Sequence, residues 1–514
     1  MTENIKILAL RLLDRFDDHI SIQFLFHNDW HIFQYRMFSR VERLIGFTGL
    51  HGAAYFGIEE IIAAVLDMKE RDINAADSTR NTALTWAVMR GHDEVVEMLL
   101  EPKEINPDQP NTKYGRTPLS LAAEMGHERI VKILLGRENV NPNQAITGYS
   151  QTPLLWAAKN GHEWLINMLL ERVDINPNQL DTYYGQTLLL WAAKGGKEWV
   201  VKMLLERDDV NPNHPDTEYD RTPLSWAGKI GHEGIVKMLL QREDVNPDTA
   251  DTKYSRTPRL WAAKKGHDGI VKMLLEREDV NPNRADTKYG RSPLLWAAEK
   301  GHEGIVKMIL ERKDVDPGWA DSKYGRTLLS WAAGNGHEGV VKMLLERRDV
   351  HPDQPDTKYG QTPLSRAAES GHGGVVSMLL EREDVDPDHP DSFYGRTPLS
   401  WAAGNGCGVI VKMLLGRKDV NPDQPDAKYG RASLSWGAET GYEGVAKMLL
   451  EREDVDPDWA DTKYGRTPLL WATEKGHKGQ YKCFWNEMMS IPTGKTPNMV
   501  GRHSPGRLRT GMRG

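Results

Sequence analysis

The chain has 514 residues, 27% of them charged, and a formal net charge of −7 at pH 7. Neither sign of charge is in large excess, which argues against nucleic acid or a membrane surface as the main partner. The only cysteines, Cys407 and Cys483, exclude a disulfide framework and fit a reducing compartment. No apolar run approaches the roughly 18 residues of a membrane-spanning helix. We therefore expect a soluble cytoplasmic protein, with the nucleus as the alternative compartment.

The first 45 residues share no repetition with the rest of the chain and contain a cluster of aromatic and apolar side chains. The cluster comprises Phe24, Leu25, Phe26, Trp30, Ile32, Phe33 and Tyr35. The end unit of a repeat array has an apolar face that no neighbour covers, so such arrays need caps. We predict that residues 1–45 are a non-repeat N-terminal cap.

Residues 46–477 repeat one phrase thirteen times, approximately Thr-Pro-Leu-Ser-Trp-Ala-Ala-x-x-Gly-His-x-x-x-Val-x-Met-Leu-Leu. From Thr82 onward the period is 35 residues. The first position of the phrase is occupied by Thr48, Thr82, Thr117, Thr152, Thr187, Thr222, Thr257, Ser292, Thr327, Thr362, Thr397, Ala432 and Thr467. A fixed period of this length predicts stacked units, each of which buries its apolar face only against its neighbours.

One copy can be interpreted residue by residue. The Ser292 hydroxyl is a predicted N-cap, Pro293 fits the first helical position, and Gly301 ends a short first helix. A second helix buries one stripe, which we predict to be Ile305, Val306, Ile309 and Leu310. Pro317 then forbids further helix, and residues 324–326 turn the chain into the next copy. Each copy is therefore a helix, a turn, a second helix and a loop.

The phrase T-P-L-x-x-A-A-x-x-G-H-x-x-x-V-x-x-L-L resembles the ankyrin repeat over residues 46–477. The resemblance implies an all-α ankyrin-repeat solenoid of about 13 helix-turn-helix units with projecting loops. Two features depart from the family pattern. First, Ser or Leu replaces the usual histidine after Thr-Pro-Leu, and the next position is usually tryptophan. Second, the connecting loop is longer, which gives a period of 35 residues in place of 33.

Tryptophan occupies one position in ten copies, interrupted by Leu121 and Arg366. These residues are Trp86, Trp156, Trp191, Trp226, Trp261, Trp296, Trp331, Trp401, Trp436 and Trp471. Such a ladder could stack bases or follow a carbohydrate, but a large ring on a short helix is better explained as sealing the seam between copies. At Arg366 we expect either that the edge of a neighbouring ring is exposed or that the packing between copies is locally weaker.

Nine of the seventeen histidines follow the recurring glycine: His92, His127, His162, His232, His267, His302, His337, His372 and His477. Spaced one copy apart, they cannot converge on one metal ion, whose ligands lie about 2 Å from it. The family resemblance implies that this histidine bonds the loop backbone. We expect no metal.

No catalytic constellation is evident. Residues 493–496 (Thr-Gly-Lys-Thr) end like a phosphate-binding loop, but Met489 stands where that motif needs glycine. Aspartates recur at loop positions such as Asp251, Asp286 and Asp321, where turn formation is the simpler explanation. We expect a chain that is not an enzyme, with no cofactor and no small-molecule substrate.

Positions that vary among the copies are the ones free to determine binding. One variable pair precedes the recurring glycine, on the face where ankyrin repeats contact partners. In four successive copies this pair supplies Lys159, Lys194, Lys229, Lys264 and Lys265, which we call the lysine stripe. An acidic protein partner would be steered to such a stripe. The alternative is that these are unselected surface positions at which lysine only aids solubility.

A second variable position lies in the loop after the Asn/Asp-Pro dipeptide. Trp319 and Trp459 occupy it in two copies. Tryptophan is enriched at binding hot spots, so both are candidate anchors for a protein partner.

The two ends suggest a larger context. Residues 19–57, including HISIQFLFHNDW and RLIGFTGLHGAAYFG, resemble the junction into the ankyrin arrays of fungal NACHT–ankyrin (STAND-type, NLR-like) receptors. This resemblance implies the ligand-sensing array of an immune or self/non-self receptor, present here without its NTPase domain. A general intracellular adaptor that tethers partner proteins is the alternative. Residues 478–514 have no acidic residue after Glu487, and we predict a disordered basic tail.

Overall fold

The protein is described from a computed structural model, which covers residues 46–67, 72–111, 115–144, 151–181, 184–477 and 479. The predicted N-terminal cap (1–45) and, apart from residue 479, the predicted tail (478–514) lie outside these residues. The described residues form α-helices of seven or eight residues and one isolated bridge, between Ala76 and Thr82.

Contacts divide the chain into two compact units, Met1–Asn281 and Pro282–Gly514. The described helices of the first unit are α1 (Gly49–Phe56), α2 (Glu59–Leu66), α3 (Ala83–Arg90), α4 (Asp93–Leu100), α5 (Pro118–Met125), α6 (Glu128–Leu135), α7 (Pro153–Asn160), α8 (Glu163–Leu170), α9 (Leu188–Lys194), α10 (Glu198–Leu205), α11 (Pro223–Ile230), α12 (Glu233–Leu240), α13 (Pro258–Lys265) and α14 (Asp268–Leu275). Those of the second unit are α15 (Pro293–Lys300), α16 (Glu303–Leu310), α17 (Leu328–Gly334), α18 (Glu338–Leu345), α19 (Pro363–Ser370), α20 (Gly373–Leu380), α21 (Pro398–Gly404), α22 (Gly408–Leu415), α23 (Ser433–Thr440), α24 (Glu443–Leu450) and α25 (Pro468–Glu474).

Within each unit, the first helices of successive copies pack on one another, and so do the second helices. In the first unit α11 packs on α13 and α10 on α12; in the second unit α21 packs on α23 and α22 on α24. The predicted all-α solenoid of helix-turn-helix units is confirmed.

The ends of the first helices follow the sequence prediction. Ser292 Oγ accepts the backbone N–H of Leu295 over 3.2 Å, and Pro293 occupies the first turn. Gly301 ends α15 at φ +75°, in the left-handed region that favours glycine. An added Cβ at Gly301 would also lie 2.5 Å from Nδ1 of His337. Both the backbone conformation and the contact with the following copy therefore favour glycine here.

The second helices bury the predicted stripe almost in full. Ile305, Val306 and Ile309 are buried, whereas Leu310 remains partly exposed. The prediction is therefore correct for three of the four residues. Leu310 ends α16, at the margin of the buried stripe.

Candidate functional site

A buried aspartate closes the loop between copies. The backbone N–H of Asp251 donates to the carbonyl oxygen of Arg256 over 3.0 Å, and Asp251 Oδ1 accepts the N–H of Tyr254 over 2.9 Å. Asp251 Oδ2 accepts the indole Nε1–H of Trp261 over 3.0 Å. Asp251 is 1% exposed. The prediction that this loop aspartate forms a turn is confirmed, and the same carboxylate also orients the tryptophan.

This indole–carboxylate bond recurs in both units. The other pairs are Trp86–Asp77, Trp226–Asp216, Trp296–Asp286, Trp331–Asp321, Trp401–Asp391, Trp436–Asp426 and Trp471–Asp461. The Arg221 guanidinium lies 4.9 Å from the centre of the Trp226 ring and 4.7 Å from that of Trp261. Both rings are buried. The interpretation of the ladder as a framework that seals the seams is confirmed at these copies.

The Arg366 copy keeps its loop carboxylate satisfied without an indole. Asp356 Oδ2 accepts Nε–H of Arg326 over 3.2 Å. Nη1 of Arg366 donates to Oε2 of Glu369 over 2.9 Å, and burial lowers the pKa of the Arg366 guanidinium. Arg366 therefore lies within the packed part of its copy.

The Gly-His histidines bond a different group from the one expected. The resemblance implied the loop backbone, but Nε2 lies next to a carbonyl oxygen in the last turn of the preceding copy's first helix. The histidine and carbonyl pairs are His92–Tyr55, His162–Glu124, His232–Lys194, His267–Lys229, His337–Glu299 and His477–Glu439. That carbonyl belongs to the first residue of the variable pair. The recurring histidine therefore fixes the backbone from which the variable side chain extends.

The structure brings the central lysines of the stripe onto the tryptophan ladder. The Nζ atoms of Lys194 and Lys229 each lie 4.4 Å from the centre of the Trp226 ring, and Lys229 Nζ is also 5.1 Å from that of Trp261. Lys264 Nζ lies 5.8 Å from the Trp261 ring centre. These three side chains are partly exposed. Ammonium groups over aromatic faces are attracted by the ring quadrupole, which holds the lysines in place.

The two ends of the stripe are more exposed. Lys159 is exposed as a whole side chain, but its Nζ lies 5.8 Å from the centre of the Trp156 ring, and desolvation at this end is the main cause that lowers the pKa of Lys159. Lys265 follows Lys264 and is exposed to solvent. All five predicted lysines belong to the first unit and extend from α7, α9, α11 and α13.

Lys229 has a strongly lowered pKa. The pKa of its ammonium is lowered to about 8, mainly by partial burial and in addition by the nearby charges of Arg221, Lys265 and Lys194. Asp251 acts in the opposite direction. The repulsion between Lys229 and these three cations is therefore larger than its attraction to Asp251.

Other copies place a carboxylate at the position of the stripe. Nη1 of Arg431 lies 2.6 Å from Oε2 of Glu439, and Arg291 pairs with Glu299 in the same way. Eight residues separate the arginine and the acid in each copy. Arg221 and Lys229 have the same spacing, so this copy has two positive charges where the other two copies have an ion pair.

Trp319 and Trp459 belong to the second unit. Nε1–H of Trp319 donates to the carbonyl oxygen of Gly290 over 3.4 Å, and that of Trp459 to Gly430 over 3.0 Å. Trp319 is 43% exposed, and Trp459 is half-buried. Each ring is thus tethered to the preceding loop with part of its surface open to solvent.

Sequence reasoning missed a second ladder at the loop tips. Lys323 Nζ lies 5.1 Å from the centre of the Tyr289 ring and 4.9 Å from that of Tyr324, and Lys358 lies 5.0 Å from both Tyr324 and Tyr359. The recurring Lys-Tyr-Gly was the available signal. Because each lysine lies between two successive tyrosines, these cations join neighbouring loops.

A family model described as ankyrin repeats (3 copies) matches the overlapping residues 19–111, 50–146, 104–181, 154–251, 245–321, 313–391 and 383–461. No curated protein matches the chain. Among helices of the described segments, none is long and apolar enough to cross a bilayer. Ankyrin repeats mediate protein–protein binding. Because the matched residues extend over most of its length, the chain belongs to the ankyrin-repeat family.

Proposed function

We propose that this chain is a non-enzymatic scaffold whose lysine stripe binds an acidic segment of a partner protein. The observation that carries the proposal is the placement of Lys194 and Lys229 on the Trp226 ring, at a position where other copies hold glutamate. Carboxylates from a partner would take the place of the missing glutamates. They would also relieve the repulsion among Lys194, Lys229 and Lys265.

Rigidity supports the same proposal. The carbonyl oxygens of Lys194 and Lys229 are bonded by His232 and His267 of the following copies. The ammonium groups are further restrained by the aromatic rings beneath them. A surface that is ordered before binding loses less conformational entropy when the partner binds.

Trp319 and Trp459 are proposed as additional anchors in the second unit. Each offers an aromatic surface that is partly exposed, while its indole N–H is already satisfied by a loop carbonyl. Such rings can pack against a partner without leaving a polar group unpaired.

The more specific proposal is that the scaffold is the ligand-sensing array of a fungal NLR-like receptor. The resemblance of residues 19–57 to the junction of NACHT–ankyrin receptors supports it. Membership of the ankyrin family supports a general adaptor equally. An NTPase reading frame in the upstream genomic neighbourhood would favour the receptor, whereas its absence, together with stable expression of this chain alone, would favour the adaptor.

A charge-reversal experiment tests the acidic-partner proposal. The variant K194E/K229E/K264E reverses the centre of the stripe, and K202E/K237E/K272E makes the same charge change on exposed lysines of the second helices of the same copies. A fluorescently labelled oligo-glutamate peptide is titrated against each protein in fluorescence anisotropy. We expect the stripe variant to raise Kd by about tenfold or more and the control by about twofold or less. Equal effects of the two variants would refute the proposal.

A further inference from the structure

One loop position is occupied by asparagine in some copies and by aspartate in others, with glycine in one copy. It is the residue directly after the Asn/Asp-Pro or His-Pro dipeptide, and it is occupied by Asp108, Asn143, Asn178, Asn213, Asp248, Asn283, Gly318, Asp353, Asp388, Asp423 and Asp458. The second unit has aspartate at this position in successive copies from Asp353. Asparagine and protonated aspartic acid have the same shape and the same capacity for one donor and one acceptor, whereas ionised aspartate only accepts.

Where asparagine occupies the position, its amide joins two successive loops by two hydrogen bonds. Oδ1 of Asn178 accepts the backbone N–H of Asn211 over 2.8 Å, and its Nδ2–H donates to the carbonyl oxygen of Asp209 over 2.7 Å. Asn213 does the same with Asn246 and Asp244, at 2.8 and 2.6 Å. Both ends of the amide are therefore used.

Where aspartate occupies the position, only one of these bonds forms. Oδ2 of Asp388 accepts the N–H of Asn421 over 2.6 Å, Oδ2 of Asp423 accepts that of Asp456 over 2.6 Å, and Oδ2 of Asp353 accepts that of Asp386 over 3.3 Å. This oxygen takes the place of the amide oxygen. In Asp353, Asp388 and Asp423 the other oxygen, Oδ1, is buried and has no donor.

The equivalent position in the asparagine copies indicates which group Oδ1 faces. The amide nitrogen of asparagine bonds the carbonyl 31 residues further on, which in these copies belongs to Asp384, Asp419 and Asp454. A carboxylate oxygen opposite a carbonyl oxygen is a pair of acceptors with no hydrogen between them. A buried acceptor without a donor costs free energy, and a proton on Oδ1 would supply the missing bond.

We propose that Asp353, Asp388 and Asp423 form a proton-binding ladder in the second unit. When each carboxyl takes up a proton, its Oδ1–H donates to the carbonyl of the following loop, as the asparagine amide does in the first unit. Mild acid therefore adds one hydrogen bond at each of three successive joints between copies. The ladder is independent of the lysine stripe and of any partner.

The charges around the ladder support this assignment. Half-burial is the main cause that raises the pKa of Asp353, Asp388 and Asp423, each to about 6 from the usual 3.8. Nearby carboxylates contribute in the same direction: Asp384 and Asp386 on the facing loop at Asp353, Asp386 of its own loop and Asp419 of the facing loop at Asp388, and Asp454 and Asp456 on the facing loop at Asp423. The backbone N–H that each Oδ2 accepts is the main cause in the opposite direction, with a smaller contribution from His389 at Asp353 and from Arg452 at Asp388.

Three of the neighbouring carboxylates, those of Asp384, Asp419 and Asp454, remain charged over the range in which the ladder titrates. Asp384, Asp419 and Asp454 are held by Arg382, Arg417 and Arg452, and these bonds lower the pKa of each carboxyl below its usual value. For the ladder itself, the folded pKa lies above the unfolded one, so the folded state binds more protons. Its contribution to stability is therefore lost above about pH 6 and gained as the pH falls from 6 toward 4.

Two variants test the ladder. D353N/D388N/D423N makes the three joints permanently like those of the asparagine copies, and E346Q/E381Q/E451Q removes the same charge from exposed residues as a control. Melting followed by circular dichroism should give the ladder variant a Tm a few degrees above the unsubstituted chain at pH 7.5, a difference about half as large at pH 5, and one that continues to shrink toward pH 4. A difference that does not change with pH, or one that the control reproduces, would overturn the proposal.

The reverse substitution and a proton count complete the test. N178D/N213D should install two new rungs in the first unit, lowering Tm at pH 7.5, recovering part of the loss at pH 5 and most of it near pH 4. In a difference titration of the folded proteins from pH 7.5 to 5, the unsubstituted chain should take up close to three protons more than D353N/D388N/D423N. Uptake of fewer than one extra proton would contradict the ladder even if the melting curves agreed with it.

Discussion

Trp261 and Asp251 are joined by a hydrogen bond of 3.0 Å from the indole Nε1 to Oδ2, and this bond connects the first helix of a copy to the loop that precedes it. The same carboxylate accepts Nε–H of Arg221, which comes from the preceding copy, over 3.2 Å. One buried side chain thus joins a helix, its own loop and a neighbouring copy. Coupling of this kind makes the stability of an array depend on the joints between copies.

Replacing Trp261 by phenylalanine should test that joint. The ring largely remains, but Asp251 loses its indole donor in a site that is 1% exposed. We expect W261F to lower the free energy of unfolding by about 1 to 3 kcal/mol, because a buried charged acceptor is left with one bond fewer. Urea unfolding followed by circular dichroism measures the change.

Trp156 provides the matched control. Its indole Nε1 has no hydrogen-bond partner among the described residues, and the chain has Ile146 where other loops have aspartate. W156F should therefore cost clearly less than W261F. Equal losses would mean that the ring, rather than its bond to aspartate, accounts for the stabilisation.

Substitution of the recurring glycine should disrupt the contact between copies. In G301A the new Cβ would lie 2.5 Å from Nδ1 of His337, and the backbone would have to keep φ +75° with a side chain present. We expect a loss of about 1 to 3 kcal/mol, measured by urea unfolding. Gly444 lies in α24 with open space around it, so G444A should be neutral or slightly stabilising.

Much of this framework was predictable from the sequence, because identical copies impose identical contacts. The caps, the helix bounds and the role of Asp251 follow from local chemistry that one copy contains. The histidine acceptor was mispredicted because it lies in the preceding copy, where His267 meets the carbonyl of Lys229. The cation–aromatic contacts and the unmatched Oδ1 of Asp388 also depend on how neighbouring copies face each other, and spacing within one copy does not contain that information.

Ala432 interrupts the series of capping hydroxyls and offers a stabilising substitution. Its backbone, at φ −78° and ψ 167°, matches that of the capping threonines, but it provides no side-chain bond to α23. In A432T the hydroxyl should accept the backbone N–H of Ser435, as Thr397 does for Ser400 over 3.2 Å. We expect a gain of about 1 kcal/mol in urea unfolding, and T397A should lose a similar amount. A loss of stability in A432T would show that the site lacks room for the larger side chain.

Lys229 links the proposed binding surface to pH. Its pKa of about 8 means that the ammonium is largely charged at pH 7 and that only about a tenth remains charged at pH 9. Binding of the oligo-glutamate peptide should therefore weaken between pH 7 and pH 9, beyond any change shown by the control K202E/K237E/K272E. In K229R the guanidinium stays charged throughout, so affinity at pH 9 should be retained, whereas K229Q should bind weakly at both pH values. Anisotropy titrations at constant ionic strength distinguish these outcomes, because screening would otherwise alter every charged contact together. If K229R followed the same pH profile as the unsubstituted chain, the pH dependence would belong to another group, and Lys229 would not be the centre of the stripe.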